Sequence, residues 1–94
     1  MKIVWTERAL AHLHAAYDYI ADDNERAADS TLEKIIGVAE HLSRHPRLGH
    51  VGRLEGTREL VIANIPYIVV YRLQPKAIEI LAVFHGARKW PDEL

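Results

Sequence analysis

The chain has 94 residues, of which 49% are hydrophobic and 27% charged, with a net charge of −1 and no cysteine. That length holds one domain, no apolar run approaches the roughly 20 residues of a membrane span, and the overall charge does not make the molecule a polyanion binder. Lack of cysteine excludes disulfides and thiolate metal sites and fits a reducing cytoplasm, and the opening MKIVWTERAL reaches Glu7 and Arg8 before a signal-peptide core could form.

KIVW (2–5) is short, β-branched and aromatic, which predicts a strand. Thr6 suits a helix N-cap, and Glu7 complements the dipole of the first turn. Leu10, Leu13, Tyr17 and Ile20 recur at helical spacing, so a helix is predicted over 7–22. Asn24 can cap a second helix over about 25–44, patterned by Leu32, Ile35, Ile36, Ala39 and Leu42 and stopped by Pro46. The short connection makes the pair an antiparallel hairpin. Gly37 inside the second helix costs about 1 kcal/mol relative to alanine, and close approach of another element is its expected reason.

HPRLGHVGRLEG (45–56) reads as an irregular loop. Three strands follow: 57–63 alternating, 67–73 nearly all β-branched or aromatic, and 77–84, with Pro75 placed for a tight turn and Pro66 outside the pairing. The order is β-α-α-β-β-β, an α+β design with a helical hairpin on one face of a mostly antiparallel sheet. Strict alternation puts Ile78, Ile80, Ala82 and Phe84 toward the helices, and Glu79, Leu81, Val83 and His85 on the opposite, uncovered face. That uncovered face is the expected place for function.

Charge is uneven along the chain. Residues 1–41 carry four cations against eight carboxylates, whereas 42–58 carry Arg44, Arg47, Arg53 and Arg58 against Glu55 alone, with His45 and His50 in addition. An acidic front followed by a basic loop bears on partners rather than on fold, and the basic loop permits phosphate contact. His85 reads either as a strand-end histidine bonded to backbone or as a functional group. Arg58 reads either as a cross-strand partner of Glu79 or as a target contact. Tyr67 and Tyr71 read as core aromatics or as stacking platforms. Arg88 and Lys89 are a solvated tail or a contact surface, and Trp90 packs on the domain edge or anchors a partner. His41 and His45 have metal-ligand spacing without an evident third ligand beyond His50, and helix-terminal histidines also simply face the dipole; no metal or cofactor is expected.

The stretches VWTERALAHLHAAYDYIA, HPRLGHVGRLEGTREL, PYIVVYRL and IEILAVFHGAR, in this order, resemble the RelE/ParE superfamily of toxins from type II toxin–antitoxin modules, and the resemblance spans the chain as a single domain, 1–94. It implies a growth inhibitor held silent by a cognate antitoxin that wraps it, with operator DNA bound only through the complex and no membrane role. RelE-like members cleave mRNA in the ribosomal A site; ParE-like members inhibit DNA gyrase. RelE-like enzymes place an arginine directly after the strand tyrosine, where this chain has Ile68, and the ending with His85 and Arg88 resembles ParE at least as much. The implied reading leans to gyrase, with ribosome-dependent mRNA cleavage as the alternative and an inactive, operon-regulating member as a third. For cleavage the candidate catalytic set is His85, Arg58, Arg88 and Glu55. For target or RNA contact it is Arg47, Arg53, Arg58, Tyr67, Arg72 and Arg88.

Overall fold

A computed structural model of the chain describes residues 1–86; Arg88, Lys89 and Trp90 lie outside the described residues. The elements are β1 (Lys2–Trp5), α1 (Glu7–Ala21), α2 (Glu25–Leu42), β2 (His50–Val51), β3 (Arg58–Val61), β4 (Tyr67–Gln74) and β5 (Ala77–His85). The local signals act as expected. Thr6 Oγ1 accepts the Ala9 N–H at 3.1 Å, and Asn24 Oδ1 accepts the Ala27 N–H at 3.0 Å, so both helices start on side-chain caps. Asn64, the one non-glycine residue at positive φ among those described, turns the chain between β3 and β4.

The sheet order is β1-β5-β4-β3-β2. It is mixed rather than wholly antiparallel, because the helical hairpin carries the chain across one face and returns it so that β1 lies parallel to β5. β2, two residues within the basic loop, was not expected; it is too short to show a period, and its pairing with Arg58 and Glu59 is set by the loop's anchors.

Both helices cover one sheet face, burying Ala9, Leu13, Ile35, Ala39 and Leu42 against Val69, Tyr71, Ile78 and Ile80. At about 0.8 kcal/mol per buried CH2, this layer is the main source of stability. The facing of β5 departs from strict alternation. Val70 pairs with Ala82 and Tyr71 with Ile80, so Leu81 is an extra residue, a β-bulge. Ile78 and Ile80 face the helices as expected. Beyond the bulge the sides exchange: Val83 joins the helix-side core, whereas Ala82 and Phe84 pack with Val70 on the far face. One inserted residue turns every later side chain over.

The far face is therefore not bare. Val70 and Ala82 are fully buried and Phe84 is 8% exposed, with the Arg53 guanidinium 5.7 Å from the Phe84 ring centre.

Candidate functional site

The basic loop is tied to the sheet from both sides. On the helix side, fully buried Tyr71 accepts the Gly49 N–H at 2.9 Å and donates its hydroxyl to the Pro46 carbonyl at 2.8 Å. Burial pushes the Tyr71 phenol up, so it stays a donor at neutral pH. Arg58, opposite Tyr71 in the register, donates to the carbonyls of Gly49 (2.6 Å) and Arg47 (3.4 Å). On the far side, buried Glu59 accepts the Arg53 N–H at 2.8 Å, and the Arg53 guanidinium stands 3.5 Å from the same carboxylate. Gly49 has no room for a side chain: a Cβ there would meet the Tyr71 ring and hydroxyl at 2.8 Å and the Glu59 carbonyl at 2.9 Å.

These anchors decide where the sequence candidates go. Arg58 does not pair with Glu79. The register sets Glu79 opposite Arg72, whose Nε donates to it at 3.0 Å, and this bond holds the Glu79 carboxyl below its ordinary value. Arg58 and His85 are not neighbours, because their β4 partners Tyr71 and Tyr67 stand four residues apart, about 13 Å along a strand. Glu55 sits in the exposed turn before β3, and Arg47 is exposed on the loop. Arg88 lies outside the described residues. The described catalytic candidates, Glu55, Arg58 and His85, are thus spread over the loop and separate parts of the sheet. The His41 and His45 rings meet at a tilt of 39° with centres 4.7 Å apart, and no group of three or more His, Asp or Glu able to hold a metal occurs among the described residues.

Two of the concave places on the described residues adjoin the loop or the His85 end of β5. One, about 510 Å³, is a groove between α2 and the outer edge of the sheet. Lys34, Gly37, Val38 and His41 form one wall, with Leu48 and residues 60–63 opposite. Gly37 has a role that its sequence context concealed. Among the described residues, nothing lies within 4 Å of a Cβ built there, so no close approach requires the glycine; it leaves the groove open. Leu48 is 51% and Val61 60% exposed, and β2 reaches only to Glu59, so among the described residues Leu60 and Val61 pair on one side only. An apolar trough beside an unpaired strand edge is a ready seat for another chain.

The smaller cleft, about 170 Å³, lies where α1 passes the end of β5 and is lined by His12, Tyr19, Tyr67, Val83 and His85. The bulge brings His85 here, onto the helix side, where its ring meets Tyr67 edge-on at 5.4 Å. Tyr67 is only 5% exposed, a core residue at the cleft floor. Tyr19 escaped the sequence reading, and His12 enters it only with His14, as two residues on different sides of the helix that cannot share an ion. Helical spacing places His12 beside the core, but nothing in it indicates which strand atom the ring meets.

A helical hairpin on a five-stranded mixed sheet, with an anchored basic loop and an open groove, is the α+β architecture that the resemblance to RelE/ParE toxins implies. The chain matches the model of the ParE toxin of the type II toxin–antitoxin system, parDE, over residues 3–90, and it belongs to that family. It is 41% identical to "Putative toxin Y4kP" of Sinorhizobium fredii over 93 residues, 99% of this chain and 96% of the relative. It is 33% identical to "Toxin RelE2" of Caulobacter vibrioides over 87 residues, 93% of this chain and 97% of the relative. Among solved structures, "Chromosomal ParDE TA system from P. aeruginosa" aligns with TM-score 0.80 at 26% identity, covering 90% of this chain and 95% of that one. The Staphylococcus aureus YoeB dimer, with TM-score 0.58 and 17% identity over 87% of this chain and 92% of that one, shares the fold.

Proposed function

We propose that this toxin acts in the cytoplasm on DNA gyrase, as its ParE relatives' type implies, and that its cognate antitoxin silences it by laying an apolar segment in the groove beside Gly37. Ile68 carries the target reading. A RelE-like nuclease needs cations around a scissile phosphate. The residue after Tyr67 is instead an isoleucine packed with Val70, Ala82 and Phe84. Arg58, the nearest cation on the preceding strand, is engaged by loop carbonyls. The relative named RelE2 favours ribosome-dependent mRNA cleavage as the second reading, with His85 and the basic loop as its groups.

The antitoxin segment fits as an extended or helical peptide with apolar side chains toward Val38, Leu48 and Leu60, and acidic residues near Lys34 and His41. Operator DNA is bound through the complex. In the test, Gly37→Trp puts a ring into the groove. Growth arrest by the toxin persists, while antitoxin affinity falls by about 100-fold or more, the scale of a lost interface centre. An unchanged affinity removes the groove from the antitoxin site, and no arrest by the unaltered chain removes the toxin reading itself.

A further inference from the structure

β1 and β5 pair in parallel only as far as Trp5 and Ile80, so beyond Ile80 the outer edge of β5 needs other partners. α1 supplies them. The Thr6 hydroxyl donates to the Ile80 carbonyl at 2.8 Å, and two turns further on the ring of His12 accepts the Val83 N–H through Nδ1 at 3.2 Å. A histidine that accepts at Nδ1 is neutral and carries its proton on Nε2. Val83 lies two residues before His85 on the same side of β5, and His12, Val83, Tyr67 and His85 line one cleft. β4 holds the inner edge of this strand end, through the Tyr67–His85 pairing and the Gly86 N–H to Pro66 carbonyl bond at 2.6 Å, and His12 ties its outer edge at Val83.

We propose that His12 is a positioning residue for the His85 end of β5, and that protonating its ring frees the outer edge of that end at Val83, so the cleft changes shape in mildly acidic conditions. His85 as a functional group rests on the reading given under Proposed function; the His12 link does not. Burial, then the Arg8 charge one turn earlier on α1, hold the His12 ring below its ordinary value of 6.5. Among the described residues, the other titratable groups lining the cleft are Tyr19 on α1, Tyr67 on β4 and His85 on β5. None of these is a carboxylate that could hold an imidazolium in place. Once protonated, Nδ1 becomes a donor facing a donor, and the Val83 bond is lost.

The test follows the Val83 amide and the Tyr67 ring by NMR in the full chain from pH 7.5 to 5. In the wild type, Val83 exchange, corrected for its intrinsic pH dependence, speeds up about five- to tenfold as His12 titrates, the scale of one lost hydrogen bond. Tyr67 shifts with the same midpoint. His12→Asn, whose Oδ1 replaces Nδ1 as acceptor, keeps the protection and loses that midpoint. His12→Ala loses the protection at every pH; should it fail to fold, the wild-type titration and His12→Asn suffice. A Val83 amide indifferent to His12 titration, or a response that survives in His12→Asn, overturns the proposal. Growth arrest is no part of this readout, so failure of the gyrase reading is seen separately.

Discussion

Tyr71 and Tyr67 sit four residues apart on β4, on the same face and both in the core, yet they do different work. Tyr71 is fully buried, its hydroxyl uses both its donor and acceptor capacity on loop backbone, and glycine is required beside it. Tyr67 meets a histidine ring at the floor of a cleft. The difference lies in what the neighbouring elements bring. A loop closes over the Tyr71 end, whereas at the Tyr67 end β1 has already stopped and α1 reaches the strand edge through the His12 ring, leaving a cleft. One end of the hairpin is built for permanence and the other for access.

The largest effects should come from the closed end. Tyr71→Phe leaves the Gly49 N–H and the Pro46 carbonyl without their partner and should cost about 1–3 kcal/mol in denaturant unfolding. Gly49→Ala should cost a similar 1–3 kcal/mol by overpacking. The two changes should not add, because removing the hydroxyl relieves one of the three close contacts while the ring and the Glu59 carbonyl remain. Additive costs would show that the loop does not rest on Tyr71.

The open end should respond to pH. The folded-state value of His12 is lowered, so the unfolded chain binds the proton more readily. His12's contribution is then present above pH 6.5 and is lost as pH falls through the lower folded-state value. A urea midpoint that declines from pH 6.5 downward in the wild type, and less so in His12→Asn, is the expected result.

Two smaller effects mark the surface. Gly37→Ala meets open space and removes the backbone penalty of a helical glycine, so the free toxin should gain about 0.5–1 kcal/mol. A loss instead would mean the groove is closed in solution. Arg72→Ala breaks an exposed ion pair with Glu79 and should leave the melting temperature almost unchanged.

What was legible in the sequence follows the same division. Periodicity and caps mark both helices to within two residues of their ends, and β-branched runs mark the long strands, because those signals are local. The helix-side core at Ile35, Leu42, Val69 and Ile80 is readable in the same way. The bulge at Leu81 is not, since alternation continues unbroken through ILAVF and only the pairing with β4 exposes the extra residue. That one residue carried His85 from the expected uncovered face to the helix side. Arg58, Glu59 and Gly49 act through the loop's return path, which no window of sequence contains. Gly37 was visible but misread, because an unoccupied groove and a tight contact both favour a residue without a side chain.

We propose, centrally, that a toxin with packed Ile68 on β4, where RelE-like nucleases place an arginine, poisons gyrase rather than cutting message. Purified gyrase, relaxed plasmid and the toxin, with and without antitoxin, test it most directly. The account predicts that supercoiling stops with the toxin and resumes when antitoxin is added. Undiminished supercoiling, together with truncated transcripts when the same preparation meets translating ribosomes, would contradict it.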